Sequence, residues 1–130
     1  MNIEVKSITV NKSNIVCIVN FPKQKFSDEY LKNALLKIRP TLKDHKCKNS
    51  LSKNFEDILD ETSLAHILEH LIIDMQIECA TQSGILNQTI LGTSEWLDKD
   101  LGTAKIKVDY FDDVVAIKCI KDSAKLLSNL

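Results

Sequence analysis

The sequence predicts an α+β fold, a mostly antiparallel sheet with helices packed on one face, in the order β-β-α-α-β-β-α. Two observations carry this prediction: short segments of strand-like sequence occur in two pairs, and apolar residues recur at helical spacing between and after those pairs. Paired strands and segregated helices are typical of an α+β layer. The 130 residues fit one domain, spanning 1–130.

The first half is predicted to contain a hairpin and a helix. Apolar and polar residues alternate over Asn2–Val10 with one slip in register near Ser7, and Ile15–Phe21 is apolar and rich in β-branched residues. The polar turn between these segments predicts that they pair. Apolar residues then recur at helical spacing over Tyr30–Ile38, and Pro40 stops or kinks that helix.

The second half is predicted to contain the central helix of the fold. This helix begins after Thr62 or Ser63, either of which can cap it, and it ends near Gly84. The remaining predicted elements are a strand at Asn87–Leu91, a loop through Gly92–Trp96, a strand at Ala104–Tyr110 and a helix that begins at Asp112 and Asp113.

Charge and cysteine usage narrow the classes of function. The net charge of -1 predicts neither a nucleic-acid partner nor a membrane partner. No apolar run reaches the roughly 18 residues that a membrane span needs. The four cysteines are scattered without a C-x-x-C pair, so we expect reduced thiols and a cytoplasmic location.

The most informative motif is H-x-x-E-H, formed by His66, Glu69 and His70 in the central helix. At about 100° per residue, the two imidazoles lie about 40° apart on one helical face, and the carboxylate lies about 60° to the other side of His66. Two histidines one turn apart can bind one zinc ion, and a neighbouring carboxylate can act as a general base. The motif is the one found in inverzincin metallopeptidases. The other interpretation is that both histidines are simply packed against a half-apolar helix.

Four stretches of the chain resemble the N-terminal domain of cyanophycin synthetase, the enzyme that makes an aspartate–arginine storage polymer. The family pattern of Pro, Leu, an acidic residue, His, any residue and Cys is similar to the sequence around His45 and Cys47, and the family's G-H-x-x-E-H helix is similar to the segment containing the motif. The stretches are Leu35–Ser50, Glu61–Gln76, Gly92–Glu95 and Lys107–Asp113.

The resemblance implies a domain that holds the polymer and, in some members, clips it. It assigns His66 and His70 as zinc ligands and Glu69 as the catalytic base. The two ligase domains of the synthetase do not fit in 130 residues, and no G-x-x-x-x-G-K-[ST] phosphate loop is present, so a synthetase is not predicted. The family's Gly-Arg-Thr-Arg loop reads Gly92-Thr93-Ser94 here and lacks the arginines.

The third zinc ligand is not contained in the motif. Asp74 lies on the same stripe as His66 but about 12 Å further along the helix axis, too far for both to bind one ion easily. We therefore favour a carboxylate that supports a ligand or faces the substrate, and the other interpretation is a solvated side chain. His45 and Cys47 form an H-x-C pair that matches the family and could close the metal site. A capping imidazole and a packed loop thiol are the other interpretation of this pair.

Two functional hypotheses follow. The first is a zinc-dependent hydrolase that acts on a peptide or isopeptide bond, with a cyanophycin-like polymer as the substrate implied by the resemblance. The second is a non-catalytic module that binds a polymer or a partner protein, or that serves assembly into a homo-oligomer, with His66 and His70 as a vestigial metal site.

Overall fold

A computed structural model describes residues 2–21, 23–47, 54–85 and 89–130, and these form the predicted α+β fold. Four antiparallel strands make one sheet, and the elements follow the predicted order with two short 3-10 helices added. The strands are β1 Glu4–Val10, β2 Asn14–Asn20, β3 Gly92–Asp98 and β4 Thr103–Asp109; the helices are α1 Glu29–Ile38, α2 Leu64–Gln82 and α3 Asp113–Ser128; the 3-10 helices are Pro40–Asp44 and Phe55–Ile58.

The sheet has the strand order β1-β2-β4-β3, so β1 and β3 form its two edges. The predicted slip near Ser7 is a bulge between Val5 and Ser7 where β1 pairs with β2. Alternate residues of the two central strands are buried on one face, with Cys17 opposite Ile106, whereas the intervening residues are more accessible. One face of the sheet therefore carries the hydrophobic core, as period-2 alternation requires.

Strand β3 lies further along the chain than the sequence predicts. Of the predicted strand Asn87–Leu91, the first two residues lie outside the described part of the chain and the rest is irregular, whereas Gly92–Trp96, predicted as a loop, belongs to β3. The prediction followed the apolar pair before Gly92. The strand is instead defined by its pairing with β4 and by Trp96, whose ring packs edge-on against Phe21 with 5.8 Å between centroids.

Helix α2 is the central element because it packs on β3, β4 and α3. Ser63, one of the two predicted caps, accepts a hydrogen bond from His66 N–H, and the helix ends before Gly84, whose φ of 82° suits a residue without a Cβ. Most of its residues are buried, so it is apolar on nearly all sides. Among the described helices, none is long and apolar enough to cross a membrane.

Candidate metal centre

The first part of the candidate site comes from one face of α2. His66, Glu69 and His70 all line a cavity of about 670 Å³, with Glu69 and His70 only 6% and 5% exposed. The neighbouring residues Leu68 and Leu71 point into the hydrophobic core instead. The sequence spacing therefore separates a polar stripe from the apolar majority of the helix, as predicted.

The second part comes from the segment that follows the 3-10 helix Pro40–Asp44. The N–H of His45 donates to Leu42 O at the end of that helix, and the N–H of Phe55 donates to His45 O. Lys46 forms an isolated antiparallel bridge with Asn54. These backbone contacts join the segment that contains His45 and Cys47 to the two 3-10 helices.

Three potential metal donors converge where the two parts meet. Cys47 Sγ lies 3.8 Å from His66 Nε2 and 3.9 Å from His70 Nε2, and the two Nε2 atoms are 3.1 Å apart. In tetrahedral geometry, zinc places two nitrogen ligands roughly 3.4 Å apart and a sulfur and a nitrogen roughly 3.6 Å apart. The donor set and its spacing thus fit a metal ion, with a fourth position left over.

The environment of Cys47 is unfavourable for a free nucleophile, and the thiol must lose its proton to bind a metal ion. Burial and the nearby carboxylate of Glu69 raise the pKa of the Cys47 thiol. A thiol of raised pKa is a poor nucleophile at neutral pH, whereas binding to a cation deprotonates it. A cysteine hydrolase built on Cys47 and His66 is therefore disfavoured.

A chain of hydrogen bonds extends outward from His70. His70 Nδ1 lies 2.8 Å from His45 Nδ1, and His45 Nε2 lies 2.9 Å from Asp74 Oδ1. The other carboxylate oxygen of Asp74 accepts from Arg39 Nη2 at 2.7 Å and from Thr41 Oγ1 at 2.8 Å. These hydrogen bonds lower the pKa of Asp74 against the opposing effect of burial, which is the largest single influence.

When His45 is neutral, this chain determines which nitrogen of His70 carries the proton. Ionised Asp74 can only accept, so His45 donates to it through Nε2–H, and a neutral His45 ring then accepts at Nδ1. His70 therefore donates through Nδ1–H and keeps a free lone pair on Nε2, the atom that faces Cys47. Burial lowers the pKa of His70 to about 3, so this ring stays neutral.

His66 is oriented by separate contacts. Its Nδ1 lies 2.8 Å from Thr62 Oγ1, and a hydroxyl can accept from the ring when Nε2 is used as a ligand. Phe55 stacks on His70 with 3.9 Å between centroids and meets His66 edge-on at 5.2 Å. The planes of both imidazoles are thus held by packing as well as by hydrogen bonds.

Glu69 provides an acid–base group in the same cavity. Burial raises the pKa of Glu69 to about 7, although a hydrogen bond from Ser94, and a positive charge on His45 whenever that ring is protonated, oppose this change. A carboxylate with a pKa near neutrality can both accept and release a proton at physiological pH. Position and proton affinity therefore suit the role of general base that the motif predicts, a role that stays a prediction.

The structure brings together every residue singled out in the sequence, in distinct positions. Cys47 joins His66 and His70 as the third candidate donor, and its role as a ligand stays a prediction. His45 and Asp74 lie one and two hydrogen bonds behind His70 and do not face the candidate ion. Their roles as ligand or supporting group remain predictions.

Several contributing residues are absent from the sequence-based set of site residues. Phe55 and Arg39 come from elements whose proximity to α2 is a tertiary property, and Ser94 lies on the strand whose position was wrongly predicted. Thr62 was predicted only as a helix cap. Its position four residues before His66, one helical turn, was the one signal available for a contact with the ring.

The fold and the site together define an α+β domain with an internal Cys-His-His group able to hold a metal ion. The family model of the cyanophycin synthase-like N-terminal domain matches residues 17–130. The chain therefore belongs to the cyanophycin synthase-like N-terminal domain family, as its resemblance predicted. A search of curated proteins found no match.

Proposed function

We propose that this domain is a zinc-dependent hydrolase of peptide or isopeptide bonds. The observation that carries the proposal is the convergence of Cys47, His66 and His70 in the cavity that also contains Glu69. Three protein ligands with one open position are typical of catalytic zinc, whereas structural zinc is usually closed by four. The substrate class is an extended peptide-like polymer, and family membership makes the aspartate–arginine polymer the first candidate.

The chemistry divides between the ion and the protein. A zinc ion held by the three donors would supply Lewis-acid polarisation of a carbonyl group and of water. The Glu69 carboxylate takes a proton from water as the water oxygen adds to the carbonyl carbon. It then delivers that proton to the leaving amine when the C–N bond breaks. Glu69 and His70 are nearly buried, so their own contact with bulk water is small.

The decisive experiment compares Glu69→Gln with Glu95→Gln on purified protein. Glu95 is an exposed carboxylate on β3, so it is a matched control for the loss of one charge. Bound zinc is measured by elemental analysis, and hydrolysis is followed by release of soluble peptides from the aspartate–arginine polymer. We expect both variants to bind zinc and Glu69→Gln alone to lose at least 100-fold in rate, since general base catalysis is worth about 10²–10⁴-fold.

The same experiment separates the hydrolase from the alternative. A protein that binds zinc, is stabilised by it and cleaves nothing would be a binding or assembly module with a structural ion. The depth of His70 and its contact with Phe55 are what favour that second candidate. Equal hydrolysis by wild type and Glu69→Gln would contradict the proposed role of Glu69.

A further inference from the structure

One wall of the candidate site is the free edge of the sheet. Among the residues that the structure describes, strand β3 pairs only with β4 and ends the strand order. Its residues Gly92, Thr93 and Ser94 line the same cavity as His66 and Glu69. Edge strands expose backbone groups that can pair with another extended chain. The edge next to the site is therefore a surface that can bind a peptide backbone.

The register shows which backbone groups point to this edge. Asp109 N–H donates to Leu91 O, and Gly92 pairs with Val108, so hydrogen-bonded and non-hydrogen-bonded pairs alternate from that point. It follows that Thr93 and Glu95 direct their backbone groups toward β4. The residues that direct N–H and C=O away from β4 are Gly92, Ser94 and Trp96.

A second hydrogen bond supports the same alternation. Phe21 N–H donates to Gly102 O on the β2 side of β4, so Phe21 and Gly102 are a hydrogen-bonded pair. Val19 and Ala104 pair in the same register two residues away and belong to the same set. Even-numbered residues of β4 thus face β2 and odd-numbered residues face β3. Within the described chain, the backbone hydrogen bonds outside the strand ladders include none from Ser94 N–H.

The two edges of the sheet differ in regularity. The edge strand β1 has a bulge in its middle, between Val5 and Ser7, a feature that discourages pairing with another chain. In β3 the irregularity lies at the far end, between Trp96 and Asp98, and the stretch beside the cavity is regular. The side chain of Ser94 hydrogen-bonds Glu69, so this regular stretch adjoins the proposed base.

We infer that the substrate binds as an extended backbone paired to the free edge of β3 through Gly92, Ser94 and Trp96. This pairing presents an amide carbonyl of the substrate to the candidate metal centre. This inference rests on the proposed hydrolase and names how its substrate is held. Alternate N–H and C=O groups match any extended peptide, because backbone pairing is independent of side chains. Selectivity then depends on the side chains that enter the cavity.

The test uses substitutions that affect only the outward N–H. Ser94→Pro removes this donor without loss of a bond to β4, since proline is tolerated at edge positions whose N–H faces away from the ladder. Ser94→Ala is the matched control, because it removes the same hydroxyl and keeps the N–H. Thermal unfolding first establishes that both variants are folded.

Three probes are titrated into each zinc-loaded protein. Acetohydroxamate reports binding to the ion alone, and two tetra-alanine hydroxamates, one with the chelating group at each end of the peptide, add a backbone in either direction. In wild type and Ser94→Ala we expect at least one peptide to bind more than 10-fold more tightly than acetohydroxamate. In Ser94→Pro this advantage should fall below 3-fold.

The outcomes separate the two proposals. An advantage that persists in Ser94→Pro, or one that is absent in wild type, overturns edge binding and leaves the hydrolase standing. Failure of the protein to take up zinc or to bind acetohydroxamate overturns the hydrolase. Edge binding is then tested on metal-free protein in the presence of millimolar acetyl-tetra-alanine amide. Hydrogen exchange of the Gly92, Ser94 and Trp96 amides that becomes at least twofold slower supports edge binding. Unchanged exchange overturns it.

Discussion

His45 Nδ1 lies 2.8 Å from His70 Nδ1, so one imidazole supports another. A carboxylate or a backbone carbonyl is the common partner behind a metal-ligating histidine. Here the carboxylate, Asp74, lies one residue further out, at 2.9 Å from His45 Nε2. The interposed ring extends the influence of Asp74 to a donor atom that the carboxylate itself does not contact.

Replacement of His45 should weaken zinc binding without removing a ligand. His45→Phe keeps a ring in place but loses both hydrogen bonds, so the tautomer of His70 is no longer determined. We expect zinc affinity, measured by competition with a chromophoric chelator, to fall about 10–100-fold. Lys43→Ala, an exposed change nearby, should leave it unaltered. Unchanged affinity in His45→Phe would show that the ring has no supporting role.

Loss of the Asp74 charge should destabilise the fold itself. Asp74 is 5% exposed and its partner Arg39 is 14% exposed, so Asp74→Asn leaves a partly buried guanidinium with one carboxylate fewer. Because Arg39 also contacts the half-exposed Glu78, we expect a loss of about 2–3 kcal/mol in the free energy of unfolding, below the range for a fully isolated buried charge.

The control for this change is Asp122→Asn, which removes one partner of the exposed ion pair with Lys118. An exposed pair contributes about 0–1 kcal/mol, so this variant should resemble wild type in urea unfolding. Equal stability of both variants would mean that the Arg39–Asp74 pair contributes nothing net to folding.

The stability of the metal-free protein should depend on pH through Glu69. Burial raises the folded-state pKa of this carboxyl to about 7, so the folded state holds its proton over a range in which the unfolded state has released it. Stability therefore falls as pH rises from the unfolded pKa, about 4.3, to the folded pKa, and the loss is complete above it.

Glu69→Gln cannot ionise and should lack this loss. Relative to wild type, its free energy of unfolding should gain about 3 kcal/mol between pH 4 and pH 8. Urea unfolding at both pH values, in the presence of a chelator, gives the two differences. A constant difference would mean that Glu69 titrates in the folded protein as it does in the unfolded chain.

A methyl group at position 92 should disturb both packing and the proposed base. A Cβ on Gly92 would lie 2.9 Å from Val108 Cγ1 and 3.2 Å from Glu69 Cγ. We expect Gly92→Ala to cost about 1–3 kcal/mol of stability and to shift the Glu69 side chain. Calorimetry measures the first effect, and the rate of polymer hydrolysis measures the second. Glu95→Gln, an exposed change on the same strand outside the cavity, should have little effect on either.

Local patterns in the sequence were sufficient to predict the polar face of α2. The period of 3.6 residues places His66, Glu69 and His70 on one side. The axial distance from His66 to Asp74 argues against a shared ion, and in the structure His45 contacts both Asp74 and His70. These conclusions depend on the geometry of one helix, which the sequence specifies directly.

Features that depend on contacts between distant segments were not predictable in the same way. Cys47 meets the histidines because the chain between α1 and α2 turns through two 3-10 helices, and no local period reports this. Strand β3 was misplaced because an edge strand with one accessible face needs little hydrophobicity. Pairing with β4 decides where it begins.

The division of the three donors between separate elements would couple metal content to local order. Cys47 belongs to the segment before α2, whereas His66 and His70 belong to the helix, so an ion shared by them would act as a cross-link. A metal ion whose free concentration is 100 times its dissociation constant raises the free energy of unfolding by about 2.7 kcal/mol. Chelation should therefore loosen the Cys47 segment first, while the sheet, whose strands contribute none of the three donors, stays intact.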